Sequence, residues 1–332
     1  MLSREVEVVI TCNGQNMTDT VSGCLTGISY SDPADGESDT LDVTFSDREG
    51  KWLNEWFPKK EDILTAEFRV HRLNGPDDAD WTINFGEFIL DSFSFSGEPL
   101  EIKLSAVSSP VNRDFKATKR TKTWENVTLQ EIAQDIAGRA GIELVYEADT
   151  IEIKAEEQEE TEDSTFLKNL CDRYNVAMKV FTNRLILFSI KEYRAKSPVA
   201  EITRQDVISW SWETDLQGSY TGAKISYTDP YSNKTIEYQT GTDERLLEVS
   251  ESADSQADAK LKAEAALEEA NQSITKMQIT TPGRVDIFAS DCVTVSGFGK
   301  LDGKYYVEKH TPTLMNGFTS QYDMTKVEEQ EG

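Results

Sequence analysis

The sequence predicts a mainly β protein of the α+β class, with two related β-barrel domains at the chain ends flanking a middle region of two αββ units. Three observations carry this expectation. Both ends read as short alternating strands punctuated by glycine turns, one order of signals occurs twice, and the middle of the chain switches to a helical period.

The last strand-rich stretch, from Thr280 to Val327, organises the rest. Val293 and Val295 alternate with polar neighbours, the period of a half-buried strand. Asp302-Gly303 and Asn316-Gly317 predict hairpins, because both central residues of a type I′ turn need φ > 0. An antiparallel meander follows from these signals. The N-terminal part carries the same grammar. Pro58 to Asp62-Ile63, then Gly86-Glu87-Phe88-Ile89-Leu90-Asp91 and Gly97, answer Pro282 to Asp291-Cys292, then Gly303-Lys304-Tyr305-Tyr306-Val307-Glu308 and Gly317. The N-terminal copy has the longer loop, Leu73-Asn74-Gly75-Pro76-Asp77-Asp78, and loop tips tolerate insertion. A repeat of this kind predicts two related domains.

A chain of 332 residues exceeds a single domain of ~100–150 residues. The composition shifts place the boundaries at 1–111, 112–198 and 199–332.

In the first domain, Val6-Glu7-Val8, Thr40 to Phe45, Phe68-Arg69-Val70 and Ile102-Lys103-Leu104 alternate as strands, and Pro110 follows. Between strands, Trp52, Leu53 and Trp56 share one face of a short helix that Pro58 would end. Such a helix would plug one mouth of a small barrel.

The middle domain changes period. Leu129, Ile132, Ala133, Ile136, Ala137 and Ala140 form a helical stripe. Thr128 and Glu131 make a capping box, Val127 can staple onto Ile132, and Gly141 stops the helix. Strands at Ile142-Glu143-Leu144 and Ile151-Glu152-Ile153 follow. The pattern returns 34 residues on: Phe166-Leu167 answers Ile132-Ala133, and Leu170-Cys171 answers Ile136-Ala137. Met178-Lys179-Val180, a turn at Thr182-Asn183 and Leu185 to Phe188 complete the second unit. Glu156 to Glu160 reads as a solvated loop rather than a metal site, since nothing fixes its geometry.

In the last domain, Ile208 to Trp212, Ala223 to Tyr227 and Thr235 to Tyr238 alternate as strands. One helix interrupts them from Asp254 to about Asn271. Ala257, Leu261 and Ala265/Ala266 would form its apolar stripe, with Lys260 and Glu264 paired outside. Such a helix would pack flat on a barrel or against a neighbouring subunit.

The net charge of −26 argues against docking onto nucleic-acid phosphates or anionic lipid, which needs clustered Lys and Arg. No apolar run approaches the ~20 residues of a membrane span. Met1-Leu2-Ser3-Arg4-Glu5 lacks the apolar core of a signal peptide, so a cytoplasmic origin is expected. Cys12, Cys24, Cys171 and Cys292 lack Cys-x-x-Cys spacing and read as reduced structural thiols.

No Gly-x-Ser-x-Gly, His-Glu-x-x-His or phosphate-cradling glycine loop occurs. A Cys–His dyad would need Cys171 or Cys292 to meet His71 or His310. Sixty acidic residues supply carboxylate pairs by chance, so such pairs carry no glycosidase assignment. The sequence assigns no catalytic residue, no metal ligand and no cofactor, and it predicts a protein that is not an enzyme.

The layout resembles the late control D family, the baseplate hub proteins of contractile-tailed phages and phage-derived injection particles. The residues behind this are Asp47-Arg48, Trp52, Trp56, Pro58 and Asp62; then Thr128-Leu129, Ile132-Ala133, Phe166-Leu167 and Leu170; then Gln278 to Gly283 after the alanine-rich helix; and Val293, Val295, Gly297-Phe298-Gly299, Asp302-Gly303 and Tyr305-Tyr306-Val307. The likeness spans essentially the whole chain. It departs at Ser290, where family patterns often carry glycine before the aspartate, and after His310, where Thr311-Pro312 follows. The resemblance implies two tube-type β-domains per chain and a homotrimeric, pseudo-sixfold ring. It implies as partners a tail spike protein, a tail tube or tube-initiator protein and other baseplate proteins. It places the protein in the baseplate of a virion or tail-like particle assembled in the bacterial cytoplasm, with no stable nucleic-acid binding and no membrane insertion. The alternative is a peptidoglycan-binding or cell-wall-degrading tail enzyme, because Thr128 to Gly141 is loosely like the helix of a LysM module.

Overall fold

The computed structural model describes residues 5–18, 23–73, 75, 78–108, 114–181, 183–214, 219–229, 233–272 and 274–327. Asn74, Pro76, Asp77, Pro110 and Thr182 lie outside the described residues.

The first region contributes strands Glu5–Cys12 (β1), Gln15–Asn16 (β2), Leu25–Pro33 (β3), Thr40–Ser46 (β4), Ile63–His71 (β5), Trp81–Ser96 (β6) and Glu101–Val107 (β7). Alternation decides their faces: Leu41, Val43 and Phe45 of β4, and Ile102, Leu104 and Ala106 of β7, are all buried. The middle holds Asp114–Ala117 (α1), Lys119–Thr128 (β8), Leu129–Ala140 (α2), Glu143–Glu147 (β9), Glu152–Glu162 (β10), Asp163–Asp172 (α3), Val176–Phe181 (β11), Arg184–Ser189 (β12) and Ile190–Ala195 (α4). The last region holds Ala200–Thr203 (β13), Ser209–Thr214 (β14), Gly222–Thr228 (β15), Thr235–Gly241 (β16), Leu246–Val249 (β17), Gln256–Gln272 (α5), Thr275–Pro282 (β18), Cys292–Ser296 (β19), Gly303–Leu314 (β20) and Phe318–Lys326 (β21).

The two ends of the chain are built on one plan. In the first region β3 pairs β4, β4 pairs β7, β7 pairs β6 and β6 pairs β5. In the last region β14 pairs β18, β18 pairs β21, β21 pairs β20 and β20 pairs β19. Every one of these pairs is antiparallel. The irregularities repeat as well. A β-bulge falls between Leu90 and Ser92 of β6, and between Val307 and Lys309 of β20. At the head of β5, Leu90 N donates to the Asp62 carbonyl (2.9 Å); at the head of β19, Val307 N donates to the Asp291 carbonyl (2.8 Å). Asp62 Oδ2 accepts from Lys59 N at 2.9 Å, and Asp291 Oδ2 accepts from Phe288 N at 2.8 Å. The repeated residue grammar is therefore a repeated structure.

No closed barrel is found among the described residues. The two copies instead merge into one 13-stranded sheet, in the order β14-β18-β21-β20-β3-β4-β7-β6-β5-β1-β2, with β13 and β19 off this path. The expected closure fails because the second half of β20, Lys309 to Leu314, pairs with β3 of the other copy, from Pro33 to Ile28.

The hairpins are real but not type I′. Asp302 lies at φ −58° and Asn316 is not left-handed, whereas Gly303 and Gly317 take φ 144° and 124°. A three-residue connection, rather than two, joins Leu314 to Phe318, so only its glycine needs the unusual conformation.

Residues 47–57 form turns, not the expected helix. Asp47 is buried, and its carboxylate accepts from Lys51 N (2.9 Å) and Trp52 N (3.0 Å), capturing amides at the start of a would-be helix. Trp52 still plugs the core, stacked on Phe45 at 4.8 Å with Trp56 edge-on at 5.6 Å, but Leu53 points outward.

The middle has the order αββαββ, and β11 pairs antiparallel with β12 as the second unit predicts, but β9 and β10 do not pair with each other. β9 pairs in parallel with β12, and β10 pairs antiparallel with β8. The unit that repeats is thus strand–helix–strand: β8-α2-β9, then β10-α3-β11. Glu156 to Glu160, expected as a loop, lies within β10. Within the run Glu156 faces Trp124 and meets Arg173 at 2.6 Å, Glu157 faces Thr123 and Gln158 faces Lys122, and just beyond it Glu162 faces Lys119. The helix repeat holds to the residue. Leu129, Ile132, Ala133, Ile136 and Ala137 are buried, as are Asp163, Phe166, Leu167, Leu170 and Cys171. The capping box at Thr128/Glu131 and the left-handed Gly141 (φ 69°) are present.

The helix expected as a lone insertion arrives with its own sheet, β16-β15-β17, placed between β14 and β18. α5 buries Ala259 and Ala263 against Ala223 and Ile225; of the predicted stripe Ala265 is buried and Ala266 half-buried, whereas Ala257 and Leu261 are exposed. The small alanine side chains let the helix sit close on its sheet. Lys262 and Asp258, paired at 2.9 Å, are buried beside them.

Candidate functional site: assembly surfaces

The groups that chemistry would use are dispersed. Cys171 is sealed in the middle core, where burial pushes its thiol up. Cys292 packs with Ala34, Ala289 and Tyr306, and its thiol lies 3.4 Å from the Tyr193 carbonyl and 3.5 Å from that of Arg194. All four cysteines are free thiols. His71 pairs with Asp80 at 2.9 Å near the surface. His310 is buried and stacked on Tyr322, with ring centroids 4.9 Å apart. Burial lowers it to about 4 against the pull of Asp32 and Asp286, so it is neutral at physiological pH. Neither ring nitrogen reaches a hydrogen-bond partner among the described residues. No cysteine–histidine dyad forms from these placements. Among the described residues no group of three His, Cys, Asp or Glu is placed to hold a metal ion, and no helix is long and apolar enough to cross a membrane. The α2 stripe compared with a sugar-binding helix is wholly buried and offers no sugar-facing surface.

What the fold does concentrate is a buried polar cluster where the two copies and the middle region meet. Lys179 of β11 inserts its ammonium between Asp32 and Asp39, 3.4 Å from Asp39 Oδ1 and 3.0 Å from the Pro33 carbonyl. Tyr30 OH donates to Asp39 Oδ2 at 2.6 Å, and Ala289 N donates to Asp32 Oδ2 at 3.3 Å. Burial alone would lower the Lys179 pKa; the two carboxylates outweigh it and hold the lysine charged. Burial raises Asp39 despite the nearby ammonium. The β3–β4 loop grips the middle region further. Asp35 accepts from Met178 N (2.7 Å) and Lys168 (3.0 Å), and Gly36 N donates to the Met178 carbonyl (3.1 Å). On the far side, Tyr174 OH donates to Asp258 (2.9 Å) and Asn175 bonds Glu268, tying α5 to the same region. Sequence reading missed this cluster, because its members come from strands far apart in the chain. Three aspartates within eight residues, Asp32 at the end of β3 and Asp35 and Asp39 in the loop after it, were the available signal.

Outside the core, apolar side chains gather at two places. Phe57, 52% exposed, packs on half-buried Phe93 (5.5 Å) and Phe95 (5.9 Å) along the second half of β6. Trp210, 40% exposed, projects from β14 against Phe298 at 5.1 Å, with Ile208 (60% exposed) beside it. Neither place resembles an active-site cleft; both are surfaces on which another strand or chain could rest.

Solved structures share this arrangement. The 43 kDa tail protein of prophage MuSo2 from Shewanella oneidensis matches at a TM-score of 0.74 with 14% identity, over 97% of this chain and 98% of that one. A tail protein from Neisseria meningitidis matches at 0.72 with 12% identity, over 97% and 96%. The chain has the fold of phage tail proteins. An Escherichia coli component of the type VI secretion system, described as structurally similar to the T4 tail proteins gp27 and gp5, matches at 0.60 with 9% identity, over 97% and 78%. No family model and no curated protein matches the sequence.

Proposed function

We propose that this chain is the structural hub of a contractile phage tail or tail-like injection particle, not an enzyme. Three copies form a pseudo-sixfold ring that joins the tail tube to the central spike within the baseplate. The observation that carries the reading is the doubled five-strand unit. Two such units per chain, in three chains, present six similar modules to a sixfold tube while leaving a threefold arrangement for a spike. The likeness to tail proteins over nearly the whole chain supports it. In this reading residues 1–111 and 199–332 are the tube-type domains, and 112–198 is the region that braces them. The partners are a spike protein, a tube or tube-initiator protein and other baseplate components.

Light scattering tests this reading. A trimer is expected, alone or with the spike protein. A chain that stays monomeric by itself and also with its tube and spike proteins overturns it.

A further inference from the structure

The duplication leaves two strand edges exposed whose counterparts are joined inside the chain. In the internal joint, the second half of β20 pairs with β3, His310 facing Asp32 and Thr313 facing Ser29. Ala34 N extends it by donating to the Glu308 carbonyl at 2.8 Å. The counterpart of β20 in the other copy is β6, and the counterpart of β3 is β14. After the bulge, β6 runs from Ser92 to Ser96 with β7 on one side only, because β5 stops pairing with it at Ile89. Among the described residues β14 pairs with β18 alone. These edges are the vacant equivalents of the internal joint.

Burial tells the same story. His310 and Pro312 of β20, and Tyr30 and Ile28 of β3, are covered. The matching positions are half-buried Phe93 and Phe95 on β6, and half-buried Trp212 and exposed Trp210 on β14. Bulky aromatics at half-covered positions on an open sheet edge invite pairing with another strand.

We infer that β14 of one copy of this chain pairs antiparallel with the second half of β6 of a second copy, in the register of the internal joint. This rests on the ring reading and specifies its contact. Carrying the register over through the bulge and the shared pairings sets Phe93 opposite Thr214, Phe95 opposite Trp212 and Ser96 opposite Ser211. The aromatic side chains then lie on one face and the serines on the other. The contact is head-to-tail, since unlike edges meet, and such contacts either close into a ring or run on as a filament. Internal and intermolecular joints would alternate around the ring.

The test uses the full-length chain with paired cysteine substitutions at exposed positions. Ser96→Cys with Ser211→Cys is the in-register pair. Ser92→Cys with Ser211→Cys is the control, on the same face but displaced by about 13 Å along the strand. Each is oxidised mildly, with the four single-site and wild-type controls for the native thiols, and read on a non-reducing gel. The expected result is an intermolecular disulfide forming at least about tenfold faster for the in-register pair, because bridging needs Cα atoms within ~7 Å. The linked product should be a closed trimer. A trimer by light scattering in which neither pair links, or in which both link equally, overturns the pairing and leaves the ring standing. In-register linkage that runs on as a ladder beyond three chains supports the pairing and overturns the ring. A monomer at every concentration reached, with no linkage, overturns the pairing.

Discussion

Glu61 and Ser290 occupy equivalent places in the two copies, and both are left-handed, at φ 83° and 71°. Each donates its amide across to the neighbouring strand, Glu61 to the Leu90 carbonyl at 3.1 Å and Ser290 to the Val307 carbonyl at 2.9 Å. The conformation is what lets the following aspartate turn the chain into the strand. It also accounts for a glycine being the usual residue in the family pattern the sequence resembles. Ser290→Gly should therefore be neutral or stabilising, whereas Ser290→Val should cost about 1–2 kcal/mol, because a branched side chain clashes in this region. Denaturant unfolding of the two variants measures the difference; equal stability would mean the turn is not strained.

Trp52→Ala should lower stability by about 3–5 kcal/mol, since a stacked and nearly fully buried aromatic is lost. Leu53→Ser should stay within about 0.5 kcal/mol, because Leu53 faces solvent. Equal losses at the two positions would contradict the turn described for residues 47–57.

Removing the buried ammonium is expected to be costly. Lys179→Met leaves Asp32 and Asp39 close together without their shared cation, a loss of about 3–5 kcal/mol. Adding Asp39→Asn should recover part of it, which a double-mutant cycle by chemical denaturation would detect. Strictly additive effects would show that the three side chains do not act as a unit.

His310 gives a pH dependence of defined sign. Its folded-state pKa of about 4 lies below the unfolded value of 6.5, so between those limits the unfolded chain binds the extra proton. Stability contributed by the neutral ring is present above pH 6.5 and is lost as the pH falls towards 4, by up to about 3 kcal/mol. Asp39 acts oppositely: burial raises its pKa, so its contribution weakens as the pH climbs above its unfolded value. The difference between wild type and His310→Phe isolates the histidine. An identical slope of unfolding free energy against pH in both proteins would refute the assignment.

The charge of −26 gives a simple solution test of the expectation that the chain makes no stable contact with nucleic acid. Double- or single-stranded DNA should show no retention by the assembled protein at low salt, where any belt of Lys and Arg would bind phosphates most strongly. Measurable retention that fades with added salt would mean that a basic surface is presented after all.

The strand faces and the duplication were legible because each depends on residues close together in sequence. Gly86 to Asp91 and Gly303 to Glu308 encode one strand segment and one bulge, and Asp62 and Asp291 encode one turn. Pairing between distant segments was not legible. Nothing near Glu143 says that β9 will choose β12 over β10, and nothing in the acidic run says that it will pair with β8, well upstream in the chain. The face of α5 escaped because alanines occur all round it, so the sheet beneath, not the helix's own pattern, selects Ala259 and Ala263. The assembly edges were visible only as ordinary strands. Their meaning depends on knowing which counterparts are already occupied.

The joint between β20 and β3 also sets the order in which this chain can reach its native state. Thr313 and Ser29, linked side chain to side chain at 3.2 Å, are 284 positions apart. Every other pairing in the first copy lies within the first 107 residues, so that unit can form early during synthesis, at ribosomal rates of roughly 5–20 residues per second. The outer edge of β3 must then wait until nearly the entire polypeptide has emerged. A closure this non-local is intrinsically slow, and the waiting edge is a template for another strand. Chains stopped before Lys309 would lack the strand that covers the outer edge of β3 and would carry that edge exposed.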